Sequence, residues 1–200
     1  MALYSQGLAS ASNGDNGPEK IYETIEQIGC VQIDTLQMVR RSQYLVLWSR
    51  LGNYDTTRFD DLLSGNSDTE SGRRLFEYWS HAACLIPLAD YRYSLPLTRK
   101  HREGAAGWRK TWVEQPGNRA LIDQVLSHVH ENGPTRSADF DRQGPKRGAW
   151  WDWKPATIAL EHLYNRGDLM VSERRNFQRM YDLSERVLPG WVNQDEPTHA

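Results

Sequence analysis

Gln32 and Asp34 stand two positions apart in the segment Cys30-Val31-Gln32-Ile33-Asp34. If residues 31–34 run as a short strand, their side chains alternate between its two faces. Val31 and Ile33 then enter a core, while Gln32 and Asp34 project together, roughly 7 Å apart by strand rise. A carboxamide and a carboxylate side by side on a rigid strand can grip a water molecule beside a centre where positive charge develops. Asp34 is also well placed to be the N-cap of a following helix over Gln37–Leu51. On residue pattern alone both readings stand.

The other reactive residue types are sparse. Cys30 and Cys84 lie far apart in the chain, with no CxxC pair and no ligand-spaced histidine. Neither a zinc site nor a disulfide framework is indicated, and no metal or organic cofactor is expected. His128 and His130 are two apart on a helical stretch, so they diverge and read as surface residues. The net charge of −2 and pI near 6.3 give no general support for a nucleic-acid partner. Any DNA contact must come from local basic clusters. Two hundred residues, 10% aromatic with eight Trp, suit one large or two small folded domains. With no signal peptide and no long apolar run, a soluble cytoplasmic protein is the default.

The elements that must position Gln32 and Asp34 follow from periodicity. Pro18 suits a helix first turn, and Ile21, Ile25 and Ile28 follow at helical spacing until Gly29. After the Val31–Asp34 strand, a helix through Arg41–Leu51 stops at Gly52, and Asp55 or Thr56 can cap a short helix holding Phe59, Leu62 and Leu63. Ser64–Gly72 reads as a hydrophilic tip. Leu75–Trp79 and Ala82–Ile86 read as a hairpin with Ser80-His81 at its turn. Beyond it, Pro96 delays or kinks any helix in Tyr91–Glu103. The order then recurs. Leu121, Ile122, Val125 and Val129 line a helix closed by Asn132-Gly133-Pro134, and Ser137 can cap a short turn. A basic loop spans Arg142–Arg147, and Pro155 opens a helix that Gly167 ends. Leu169–Val171 and Phe177–Asp182 read as strands joined by Ser172–Asn176. Helices followed by a hairpin, twice, predict a mainly α protein with short β-hairpins. The arrangement expected is two tandem winged helix-turn-helix domains, residues 1–103 and 104–200.

Three blocks carry a resemblance that periodicity cannot supply: Val31-Gln32-Ile33-Asp34-Thr35, Arg41–Gly52, and Glu77-Tyr78-Trp79-Ser80-His81-Ala82-Ala83-Cys84. With Gly133–Phe140, Trp150–Pro155 and Glu173–Arg179, they resemble the YcaQ/AlkZ family of winged-helix DNA glycosylases. These excise bulky alkylated bases and unhook interstrand crosslinks. The family's catalytic motif is Gln, an aliphatic residue, then Gln or Asp, and it maps here onto Gln32-Ile33-Asp34, the YcaQ-like version. Family members are longer, with a third winged helix and a β-rich C-terminal domain, so the resemblance implies that this chain corresponds to the N-terminal part.

The resemblance implies a DNA repair hydrolase acting in base excision and interstrand crosslink repair. It is expected to act as a monomer on double-stranded DNA and to be nucleoid-associated when bound. Asp34 is expected to stabilise oxocarbenium character on the sugar and to orient or deprotonate water, with Gln32 holding the water or the deoxyribose. Arg41, Ser42 and Tyr44 follow the strand closely and could touch the backbone at the lesion. His81, on the first hairpin, is either a DNA contact or a hydrogen-bonded structural residue. Arg174, Arg175 and Arg179 on the second hairpin, with Lys154 at the start of a helix, are candidate phosphate contacts. The alternative for them is a solvated wing paired with Glu173 and Asp182. Trp150, Trp151 and Trp153 could stack on bases but fit better as core. The competing function is a non-catalytic tandem winged-helix DNA-binding protein, a regulator or an inactive glycosylase fragment, which has no need of the Gln32/Asp34 pair.

Overall fold

A computed structural model describes residues 2–8, 16–34, 39–65, 72–104, 107–140 and 154–198. The expected hydrophilic tip between residues 66 and 71, the basic loop Arg142–Arg147, and Trp150, Trp151 and Trp153 lie outside the described residues. The chain divides into two compact units, Met1–Tyr93 with Trp191–Asp195, and Ser94–Gly190 with Glu196–Ala200.

In the first unit, α1 (Ala2–Ser5) precedes α2 (Pro18–Ile28), β1 (Val31–Gln32), α3 (Ser42–Leu51), α4 (Thr56–Ser64), β2 (Leu75–Trp79) and β3 (Ala83–Pro87). Proline at the first turn of α2 sacrifices no helical hydrogen bond, and Gly29 closes its last turn. Asp55 caps α4 by accepting from the Thr57 amide at 3.0 Å. Ile21 and Ile25 of α2, Leu47 and Leu51 of α3, Phe59 and Leu62 of α4, and Leu75 and Phe76 of β2 are fully buried together. Each such side chain contributes about 1.5–3 kcal/mol of burial. The sheet order is β1-β3-β2, so β1 is an edge strand laid antiparallel on the second strand of the hairpin. Arg74, just before β2, stacks over the Tyr22 ring at 3.5 Å and pairs with Glu19 at 2.6 Å, which ties the hairpin to α2.

The second unit runs α5 (Leu95–Glu103), α6 (Trp108–Glu114), α7 (Pro116–Asn132), a 3₁₀ turn at Ser137–Asp139, α8 (Pro155–Asn165), β4 (Leu169–Arg175), β5 (Gln178–Leu183) and α9 (Ser184–Val187). Its core joins Val125 and Val129 of α7, Leu160 and Leu163 of α8, and Leu169 and Val171 of β4. Thr135, just past α7, exchanges both backbone bonds with Tyr181 of β5 at 2.8 Å. Thr135 thus holds the place in this unit that Val31-Gln32 hold in the first: after a helix, against the second hairpin strand. The protein is mainly α with small antiparallel sheets.

Three sequence expectations change. The strand expected over Val31–Asp34 is shorter, Val31–Gln32, with one further amide bond from Ile33. The second turn is not Ser172–Asn176 but the two residues Asn176-Phe177, at φ 48° and 67°. A two-residue turn with both φ positive matches strand twist, and it draws Glu173, Arg174 and Arg175 into β4. The third helix begins at Ser42 with Arg41 at its N-cap, so Asp34 does not cap it.

His162 of α8 is buried, and burial, then Arg166, Arg109 and His101, hold its imidazole down to about 4. The unfolded chain takes up that proton near pH 6.5, while the folded chain does so only near 4. Stability is therefore complete above about pH 6.5 and is lost as pH falls towards 4, on the order of 2–3 kcal/mol. Urea unfolding between pH 4 and 7 should show this acid limb, and His162→Gln should flatten it. An equal slope in both proteins would remove His162 as the cause.

Candidate functional site

Gln32 pairs directly with Cys84 across the β1–β3 ladder, and Val31 with Leu85. The Ile33 amide donates to the Ala83 carbonyl at 2.8 Å, extending the contact by one residue beyond β1. Val31 and Ile33 are buried, Gln32 is exposed and Asp34 is half-buried. This alternation is what strand geometry dictates for a backbone anchored on one side to a hairpin. Both polar side chains therefore lie off the core, with Asp34 short of a dry interior.

Arg41 and Ser42 open α3 and are half-buried. Tyr44 lies one turn further on. Its hydroxyl donates to the Asp60 carboxylate at 3.0 Å and its ring meets Phe59 edge-on at 5.8 Å. Its carbonyl accepts from the Tyr54 hydroxyl at 3.1 Å, and the Arg40 guanidinium lies over its ring at 5.9 Å. Partial burial, then the Asp60 charge, push the Tyr44 phenol up to about 12. Tyr44 is thus a built-in bridge between α3 and α4.

His81 is exposed in the turn between β2 and β3, where the Ser80 amide donates to the Ala82 carbonyl at 3.0 Å. The sequence reading placed Cys30 and Cys84 far apart, and the register brings them together. A ring nitrogen of His81 and the sulfurs of Cys30 and Cys84 all lie within 4.8 Å of one another. Both cysteines are free. Burial, then the neighbouring Cys30 and Glu77, push the Cys84 thiol up to about 11.

In the second unit, Arg174 and Arg179 stand directly opposite each other across β4–β5. Like charges so placed repel, and each is held by a local partner. Arg174 lies over the Phe177 ring at 4.4 Å and donates to the Phe177 carbonyl at 2.8 Å. Arg179 lies over the Tyr164 ring at 5.5 Å. Arg175, the more exposed, places Nη2 at 2.6 Å from Glu173 Oε1. Asp182 pairs instead with Arg186 at 3.3 Å. Lys154 is half-buried at the N-cap of α8. Sequence reasoning missed Arg136, which reaches Gln178 at the same hairpin (3.3 Å) and pairs with Asp139.

The family model for "DNA glycosylase AlkZ-like" matches residues 25–200, and the chain belongs to that family. No solved structure matches it. Among the described residues, no helix is long and apolar enough to cross a membrane.

Tyr44→Phe deletes the bond to Asp60 and should cost about 1–2 kcal/mol near pH 8. Because the folded phenol titrates near 12 and the unfolded one near 10, wild-type stability from this group falls as pH rises from 10 to 12. The gap between the two proteins should therefore narrow across that window in urea titrations. A constant gap would mean that Tyr44 does not carry the linkage.

Proposed function

We propose that this protein is a monofunctional DNA glycosylase that hydrolyses the N-glycosidic bond of alkylated purines and unhooks interstrand crosslinks, using Gln32 and Asp34. The observation that carries this reading is the exposed Gln32 on an edge strand and the half-buried Asp34 two residues on, in the motif Gln-Ile-Asp of an AlkZ-like chain. A purine alkylated at N7 carries positive charge and leaves readily. As the bond between base nitrogen and C1′ breaks, its electron pair stays with the base and positive charge grows on the sugar. The Asp34 carboxylate stabilises that charge. Water then adds to C1′ and gives its proton to Asp34 or to solvent, while the Gln32 amide orients that water. These residues require no general acid for a leaving group that is already cationic.

The two units are proposed as tandem winged helices. Support comes from their shared topology, in which residues 31–32 and residue 135 each follow a helix and each join the second strand of a hairpin. In the first unit, Arg41, Ser42 and Tyr44 on α3, with His81 on the turn, are the proposed contacts to DNA near the lesion. In the second, Lys154, Arg174, Arg175 and Arg179 are the proposed phosphate contacts. The internal partners of Arg174, Arg175 and Arg179 mean that DNA must take each guanidinium over from a neighbour.

Arg175 is the cleanest test of that exchange. If it neutralises one phosphate, Arg175→Gln should reduce the steepness of log K against log salt by about 0.9. Glu173→Gln, which removes its competitor, should tighten DNA binding at low salt. An unchanged slope with Arg175→Gln would mark it as a solvated surface residue.

Asp34→Asn should lower single-turnover base release from a 7-alkylguanine duplex by roughly 10²–10⁴, with DNA affinity nearly unchanged. The charge is needed only as the transition state forms, so its loss weakens transition-state binding more than ground-state binding. Gln32→Ala should cost less, because an amide orients without supplying charge. Wild-type excision rates in Asp34→Asn would end the catalytic assignment. Absence of abasic sites with the unaltered protein, alongside retained DNA binding, would leave a non-catalytic DNA-binding protein.

A further inference from the structure

We infer that Cys30, His81 and Cys84 form a binding site for a single soft divalent cation, with zinc as the first choice. The three donors come from three segments: the residue before β1, the turn between β2 and β3, and the second residue of β3. His81 and Cys84 are three residues apart at the hairpin turn, and the β1–β3 register adds Cys30 from a distant part of the chain. Gln32 opposes Cys84, so Cys30, two residues earlier, falls on the same face of the sheet.

The geometry fits a tetrahedral ion. With Zn–S near 2.3 Å and Zn–N near 2.0–2.1 Å, ligand atoms around tetrahedral zinc lie roughly 3.5–3.8 Å apart. The three ligand atoms here already lie within 4.8 Å of one another, so closure requires side-chain shifts of about 1 Å. Two thiolates and a neutral imidazole are the soft, borderline donor set that selects zinc over calcium or magnesium. The buried Glu77 adds negative potential at Cys84, which favours a cation there. His81 is exposed, so the ion has a path in from solvent, and a water completes the fourth position. Binding one M²⁺ replaces the two thiol protons, which pass to solvent, and leaves a complex of net charge zero. A disulfide between the two cysteines would use the sulfurs but not the imidazole that converges on them.

The consequence is mechanical. The strand β1 is two residues long and sits at a sheet edge. An ion joining Cys30 to Cys84 and His81 clips that strand to the hairpin immediately before Gln32. The inference stands on these three side chains alone and does not depend on the glycosylase reading.

The test uses the reduced, metal-free protein titrated with Co²⁺ alone and then with Zn²⁺ alone. One equivalent of Co²⁺ should produce thiolate-to-metal charge-transfer absorption and the visible bands of a four-coordinate site, and Zn²⁺ should abolish both. Thermal unfolding should shift upward with Zn²⁺. Cys30→Ser and His81→Ala alter groups that are not fully buried. Each should weaken binding by more than the roughly 10–100-fold typical of losing a partner outside the ligand shell. Cys84→Ser should do the same, and if it fails to fold, the other two variants still decide. No charge-transfer band in the reduced protein overturns the site. So does a band of unchanged affinity in Cys30→Ser or in His81→Ala. Isolation of a Cys30–Cys84 disulfide whose reduced form refuses Co²⁺ also overturns it.

Discussion

The pairing of Val31-Gln32 with Leu85-Cys84 is the contact that orients the proposed site residues of the first unit. It is small: two register pairs and one further amide, from Ile33 to Ala83. Yet it sets the face on which every nearby side chain lies, because a slip of one residue would exchange Val31 and Ile33 for Gln32 and Asp34 in the core. Burial of Val31 and Ile33 is what forbids that slip. At about 1.5–3 kcal/mol each, the two apolar side chains specify the outward position of the two polar ones.

The second unit repeats the device with different side chains. Thr135 bridges to Tyr181 where Val31-Gln32 bridge to β3, and Arg136 follows Thr135 as Ile33 follows Gln32. Here the polar residues beside the hairpin are basic, and the pair Arg174–Arg179 faces itself across the ladder. Aromatic rings at Phe177 and Tyr164 hold those guanidiniums apart. One topology therefore presents a carboxylate in one unit and a cluster of cations in the other.

Much of this was legible in the sequence, and the reasons differ by element. Helix α2 could be read from Pro18 to Gly29 because a first-turn proline and a terminal glycine are chemical requirements. The first hairpin was readable from Leu75–Trp79 and its apolar partner strand. The second turn was misplaced because Glu173-Arg174-Arg175 has loop composition, whereas the strand tolerates it on a solvated hairpin. Phe177 hides the turn further, since a bulky residue at positive φ is rarely chosen there. The helix read through Arg41–Leu51 stands as α3, with Arg41 as an N-cap that supplies no capping side chain. Of the Cys30, His81 and Cys84 cluster only the His81-x-x-Cys84 spacing is local. The approach of Cys30 is a product of cross-strand register, which no local spacing encodes.

The charges also decide how the protein can meet DNA. A net charge of −2 supplies no long-range attraction to a polyanion. On the proposed reading, attraction comes at short range, within about a Debye length of 8–10 Å, from side chains such as Arg174, Arg175, Arg179 and Arg136. Arg175 begins that encounter paired with Glu173 and Arg136 with Asp139, so a phosphate contact at either one exchanges one ion pair for another. The gain per contact is the difference between two charge-assisted bonds, smaller than the value of either alone. On the proposed reading, such a hairpin holds ordinary duplex weakly. Tight residence must then be supplied where the DNA itself differs from ordinary duplex. A cationic base beside the Asp34 carboxylate is a difference of that kind, so on this reading the carboxylate that stabilises the transition state also contributes to choosing the substrate.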